Sequence, residues 1–262
     1  MILIGEKLNS SIPSALEAMK AADGEAVRLL IEKQAEGGAD YLDLNAALTG
    51  REEEMLLSMA QTVREKTDCG LMLDSPDPAV LSSVLKRLPE KCRVILNSVN
   101  GDTCKGELSQ QALAYGASLV CMPMLHGRIP ETARERADIA KDMIACLLSL
   151  GFQPGQLYID VLVSSGATEP EAAKETLDTI RLVKSENPGV LTICGLSNVS
   201  FGWPKRAVVN SAFLSMAQYA GLDAVIADPT KEALLLSLKA GEALLGEDEF
   251  GIEYIGYTRS LG

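Results

Sequence analysis

A set of acids and amides stands out because each closes or follows a short apolar run. Glu6 and Asn9 follow the first run, Asp43 and Asn45 lie on the second, and Asp74 ends the third. Asn97 ends the fourth, Asp160 the sixth, Asn198 the seventh and Asp228 the eighth. Carboxylates accept hydrogen bonds, whereas amides both donate and accept. A flat heterocycle with adjacent N–H and NH2 donors would make a two-pronged pair with a carboxylate, and its carbonyl and ring nitrogens suit asparagine. No glycine-rich phosphate cradle of the G-x-G-x-x-G or P-loop type is present, so a neutral, donor-rich ring is favoured over a nucleotide. Carboxylates alone also fit glycoside hydrolysis. The single histidine, His126, excludes a His-rich metal centre.

The elements that must position these residues are legible as eight apolar runs. They are ILIGEKLN from Ile2, YLDLN from Tyr41, LMLDS from Leu71, VILNS from Val94, LVCMP from Leu119, LYID from Leu157, LTICGLSN from Leu191 and AVIAD from Ala224. Helical patterns separate them. This is the outline of an α/β fold of the TIM (β/α)8 barrel type, in which active sites gather at the carboxyl ends of the strands. Asp43 and Asn45 are two apart, so they share a strand face, and an Asn45 at the mouth puts Asp43 below it. Glycines at Gly38, Gly116, Gly151 and Gly221 are placed to close helices in the left-handed conformation. Asp77-Pro78 fits an N-cap with proline at the first helical position, and Thr168 with Glu171 fits a capping box. Several rim residues have a plainer reading as well. Ser75 and Ser98 fit caps, and Asp228-Pro229 fits an N-cap followed by a first-turn proline.

At 262 residues the chain has the length of one such barrel, about 250 residues, and is read as a single domain spanning 1–262. A formal charge of −12 argues against nucleic acid or an anionic membrane as the main partner. No apolar run is long enough to span a bilayer, and the N-terminus lacks a signal-peptide pattern. The six cysteines are scattered, without a C-x-x-C pair; reduced thiols in a cytoplasmic protein are expected. The tail from Gly246 is less patterned, suited to covering outer helices or meeting another subunit.

In this order and spacing, GE(x)2N, DLN, LDS, NS, YID and GLSNVS resemble the pterin-binding methyltransferases, in particular those acting between methyltetrahydrofolate and corrinoid proteins. The resemblance covers essentially the whole chain. GLSNVS, followed by an arginine and the helix VVNSAFLSMAQYAGLDAVIAD, is its most specific stretch. It implies a pterin-binding barrel of the dihydropteroate synthase-like type. It further implies that Asp74, Asn97 and Asp160 bind the pterin, with Asp160 facing its N3–H and 2-amino donors. Glu6, Asp43, Gly195, Ser197, Arg206 and Ile226 match other pocket positions. Asn198 matches the amide that approaches N5, where the methyl group resides. The substrate is then tetrahydrofolate or methyltetrahydrofolate. The corrinoid arrives on a separate, transiently docked protein, since the chain has no D-x-H-x-x-G cobalamin motif, and no metal is bound by the chain itself.

The resemblance also implies a homodimer, one-carbon metabolism in an anaerobe, and methyl transfer in either direction. Phe213, Met216 and Tyr219 share a helical face that could meet a second subunit or lie in the core. Phe201 follows GLSNVS where some relatives carry a polar residue. Trp203, the only tryptophan, is placed in a loop above the pocket, and His126 in a loop after the fifth strand. Two alternatives share the fold. A dihydropteroate synthase-like enzyme would want a Gly-rich, Arg-containing loop after the second strand and a Ser-Arg-Lys motif after the seventh, where this chain reads DLNAALTG and GLSNVSFGWPKR. A non-catalytic folate-binding subunit would keep Asp74, Asn97 and Asp160 without needing Asn198.

Overall fold

The computed structural model describes residues 1–90 and 92–261. Eight strands run in chain order: β1 (Ile2–Asn9), β2 (Tyr41–Asn45), β3 (Gly70–Asp74), β4 (Val94–Asn100), β5 (Ser118–Met122), β6 (Leu157–Asp160), β7 (Leu191–Gly195) and β8 (Ala224–Ala227). Each pairs in parallel with the next, and β8 pairs with β1, closing the barrel. Two helices, α1 (Pro13–Lys20) and α2 (Gly24–Glu36), lead from β1 to β2. Then α3 (Glu52–Lys66), α4 (Pro78–Arg87), α5 (Glu107–Tyr115), α6 (Ala133–Leu150), α7 (Ala172–Glu186) and α8 (Arg206–Ala220) alternate with the strands. The chain continues through α9 (Glu232–Leu245) and α10 (Ile252–Ser260).

Strand residues alternate between the barrel interior and the helix layer. The interior is filled by Ile4, Met72, Ile95, Val120, Tyr158, Ile193 and Ala224, all buried, with Ile2, Tyr41, Leu191 and Ile226 against them. The barrel is therefore stopped by side chains below its mouth. The opposite strand faces, among them Leu42, Leu44, Leu71, Leu73, Leu96 and Leu119, join the helices in a larger apolar layer. A second layer joins α8 and α9 to β7 and β8 through Phe213, Leu214, Cys194, Val225 and Leu238.

Helix ends follow the sequence in most places. Gly116, Gly151 and Gly221 cap α5, α6 and α8 at φ of 82°, 115° and 103°, and Gly38 takes φ of 86° just past α2. The Asp77 side chain accepts from Ala79 N, with Pro78 opening α4. The expected capping box at Thr168 and Glu171 does not form. Helix α7 begins only at Ala172, and Thr168 Oγ1 donates to Ser165 O in a separate turn. Pro170 accounts for this, because it lacks an N–H and disfavours helical backbone at the residue before it.

Asp228 does not cap α9, which starts at Glu232. Its carboxylate instead accepts from Thr230 N and Oγ1 in a local turn. Ser75 Oγ accepts from Asp77 N, whereas Ser98 Oγ points at Met122 Sδ and caps nothing. Phe213 is core at 2% exposure, while Met216 and Tyr219 on the same helix are exposed. The tail forms α10, which packs on α9; the Asp248 carboxylate, three residues ahead of its N-cap Gly251, accepts from Glu253 N and Tyr254 N of the first turn. Among the described residues no helix is long and apolar enough to cross a membrane.

Candidate active site

The residues at the mouth are a continuation of the interior plug. Glu6, Asp43, Asp74, Asn97, Asp160, Gly195 and Ile226 each stand two positions beyond an inward-facing residue, namely Ile4, Tyr41, Met72, Ile95, Tyr158, Ile193 and Ala224. A period of two keeps them on the inner face, one layer higher. Together with Ser197, Asn198 and Arg206 they line one cavity of about 700 Å3. The ten residues matched to the pterin pocket thus lie in one place, while Asn45 stands just outside its lining.

The register sharpens the arrangement. Asp74 on β3 pairs with Asn97 on β4, and with Asn45 on β2. Asn45 Nδ2 donates to Asp74 Oδ2 at 2.9 Å, and Asn45 Oδ1 accepts from Ser10 Oγ at 2.7 Å. Asp43 lies beneath at 3% exposure, and its Oδ1 is buried without a hydrogen-bond partner among the described residues. Asp160 Oδ1 accepts from Leu162 N at 2.8 Å.

Asn198 is carried differently. After β7 the chain makes a short 3-10 turn, Leu196–Ser200, before entering α8. Arg206, the first residue of α8, donates from Nε to Ser200 Oγ at 2.9 Å and from Nη2 to Ser197 O at 2.6 Å. Ser197 Oγ donates to Glu6 Oε2 at 3.0 Å, tying the turn to β1. The exposed Asn198 side chain folds back over Gly195, where an added Cβ would meet Asn198 Nδ2 at 3.2 Å. Glycine at 195 therefore gives the amide room to lie over the mouth.

Crowding of acids in a desolvated cavity raises their pKa values. Burial pushes Asp43 well above the usual carboxylate range; the charge of Asp74 adds to this, and the Asn9 amide opposes it. Burial also raises Asp74, against the hydrogen bond from Asn45, and raises Glu6, against the hydrogen bond from Ser197. Asp160 is pushed up to about 6 by burial, opposed by the Leu162 N–H and the charge of Arg136. Burial thus favours the neutral form of each of these acids relative to a free carboxylate, while their hydrogen-bond partners favour the anion.

Sequence reasoning missed Lys7, Asn210 and Lys231, which also line the cavity. Alternation would turn Lys7 away from Glu6, but an irregularity in β1 between Gly5 and Leu8 brings both to the mouth. Lys7 Nζ lies 3.4 Å from Asp228 Oδ2. Asn210 is four residues beyond Arg206 on α8, so the shared helix face was a usable signal. Phe201, Trp203 and His126 do not line the cavity. Phe201 is exposed, and Trp203 lies over Gly166 in the loop after β6. The His126 ring sits on the surface, 3.3 Å from Asp102 Oδ1.

Comparison with known proteins agrees with this geometry. The pterin binding enzyme family matches residues 5–228. The methylcorrinoid:tetrahydrofolate methyltransferase of Eubacterium limosum is 31% identical over 258 residues, covering 97% of this chain and 94% of that protein. The methionine synthase of Mycobacterium tuberculosis is 32% identical over 246 residues, but the match spans only 20% of its length. Among solved structures, dihydropteroate synthase from Stenotrophomonas maltophilia superposes with a TM-score of 0.69 at 18% identity, over 93% of this chain and 92% of that one; this shows a shared fold. From the strand-end acids and amides, the closed barrel and the near full-length similarity, the chain belongs to the pterin-binding enzyme family and is one of its methyltransferases.

Proposed function

We propose that this protein moves a methyl group between N5 of tetrahydrofolate and the cobalt of a corrinoid carried by a separate protein, in either direction. One observation carries the reading. Asp74, Asn97 and Asp160 ring a cavity over an apolar plug, with the Asn198 amide across its opening. The name of the Eubacterium limosum relative supports the two reactants. A pterin fits the residues present, because its exocyclic donors would satisfy the buried, orphaned oxygen of Asp43 or the acceptors of Asp74 and Asp160.

In this reading Asp160 accepts from N3–H and the 2-amino group, and Asp74 and Asn97 fix the ring in plane. The corrinoid, when docked, supplies cobalt that takes up or gives up the methyl group. The chain's own contribution to the bond change is at N5. A tertiary amine there leaves poorly unless the charge that develops on it is stabilised, and Asn198 Nδ2 donates a hydrogen bond to it. That bond strengthens as charge builds, so it lowers the barrier more than it improves binding. Asparagine does not titrate, so any proton reaches N5 through water. Arg206, Ser197 and Glu6 keep the turn bearing Asn198 in place. Positioning two large reactants face to face contributes the rest.

The test is to mix the purified chain, without added metal, with methyltetrahydrofolate and reduced cobalamin, and to follow the cobalt(I) spectrum. Enzyme-dependent loss of the cobalt(I) bands is expected. A chain that binds folate but leaves the spectrum unchanged would instead be a folate-binding subunit. We also propose a homodimer, supported by the exposed apolar side chains of Met216 and Tyr219 on α8, Leu244 on α9 and Ile252 on α10. Sedimentation of the native chain at twice the monomer mass is the expected result, and a monomer at micromolar concentration would refute it.

A further inference from the structure

Arg136 on α6 is 2% exposed, the largest fully buried side chain among the described residues. Among the described residues it forms no ion pair within 4 Å. Instead its guanidinium is spent on backbone carbonyls. Nε donates to Pro130 O at 3.0 Å, and Nη1 donates to Val161 O at 3.3 Å and Leu162 O at 3.0 Å. These carbonyls belong to two loops, one after β5 and one after β6. Burying a cation without a carboxylate partner costs free energy that an apolar side chain of similar volume would avoid. The loops could be packed more cheaply, so the charge and its fork geometry call for a use.

The use lies one residue further along. Leu162 has a left-handed backbone at φ of 56°, a conformation that a γ-branched residue adopts only when held. In that conformation its N–H donates to Asp160 Oδ1 at 2.8 Å. Arg136 grips the carbonyls on either side of this N–H, those of Val161 and Leu162. We infer that Arg136 is a positioning residue for Asp160: it pins Val161 and Leu162 so that the Leu162 N–H stays on the carboxylate that meets the ring donors. The inference rests on the assignment of Asp160 to the pterin given above.

The charged groups that act on Asp160 are Asp74 from β3 and Arg136 from α6; Glu169, from the loop before α7, and Glu175, from α7 itself, act in turn on Arg136. Asp74 works against ionisation of Asp160, and Arg136 with the Leu162 N–H works for it. Without Arg136 the balance moves towards the neutral acid.

The test reads Asp160 directly in the unliganded native chain, by carboxyl carbon NMR of protein labelled at aspartate, with Asp160→Asn to assign the signal. The native midpoint is expected near 6. In Arg136→Gln it should rise by about one pH unit, as loss of a neighbouring opposite charge produces. In Arg136→Lys, which keeps the charge and loses the fork, it should rise by less. The pH profile of folate affinity should move up with it, so that raising the pH restores binding to the Gln variant while kcat at saturation changes little. A merely structural arginine would not be rescued by alkali.

A Gln or Lys variant that unfolds cooperatively yet titrates Asp160 at the native midpoint overturns the inference. Should neither variant fold, the Leu162 amide proton of the native chain must report the Asp160 titration; a Leu162 signal blind to it overturns the inference equally. A native chain that binds no folate would refute the function proposed above, and the Asp160 titration would still decide the role of Arg136.

Discussion

Acidification should act on the empty and the folate-loaded protein in opposite directions, and Asp160 sets the scale. Its folded pKa is about 6 against an ordinary value of 3.8. A carboxyl raised on folding adds stability that is fully present below 3.8 and is lost as pH rises through 6. The difference amounts to about 3 kcal/mol at about 1.4 kcal/mol per pH unit. Glu6, Asp43 and Asp74 are raised as well and push the same way. The unliganded chain should therefore lose stability between pH 4 and pH 7. Folate affinity runs the other way, because the pterin donors need the ionised acceptor. Below the midpoint, affinity should fall about tenfold per pH unit.

Two measurements test this. Urea unfolding of the empty chain at several pH values gives the stability slope. Calorimetric titration with methyltetrahydrofolate over the same range gives the affinity slope, and Asp160→Asn removes the protein's part while leaving the ligand's own titration. A flat affinity between pH 5 and pH 7.5, or a native-like slope retained in Asp160→Asn, would show that Asp160 does not meet the pterin as an anion.

Asn198→Ala should slow methyl transfer by roughly 100-fold to 1,000-fold, the range for loss of a transition-state donor, while changing folate affinity little in calorimetry; equal losses in both would count against its placement at N5. Gly195→Ala puts a Cβ at 3.2 Å from Asn198 Nδ2, so transfer should slow about tenfold through displacement of the amide, with the thermal midpoint nearly unchanged. Phe213→Ala should cost about 3–5 kcal/mol in urea unfolding, because Phe213 is buried in the layer joining α8 and α9 to the barrel; a near-neutral result would mean that the layer collapses into the space.

The strands and the cavity floor were legible for one reason. A parallel strand buried on both faces is an apolar run, and the first polar residue on its inner face marks the mouth. Asp74, Asn97 and Asp160 are found by that rule alone. Lys7 was not, because an irregularity in β1 that no residue type announces suspends the alternation. The start of α7 was misplaced because a proline outweighed a capping pattern. Asp228 offered two local hydrogen-bonding choices of similar strength, a cap and a turn, and sequence does not rank them. No residue type nearby marks Arg136 as buried; its burial is set by two loops that arrive from elsewhere in the chain.

Met72, Ile95 and Tyr158 cork the cylinder from below, so the chamber is reached from the mouth. In the proposed transfer, whatever occupies the chamber arrives before a second protein seals the threshold and departs after that visitor steps away. Turnover would then follow a compulsory sequence of arrivals and departures, with an excess of the visiting protein trapping the occupant inside.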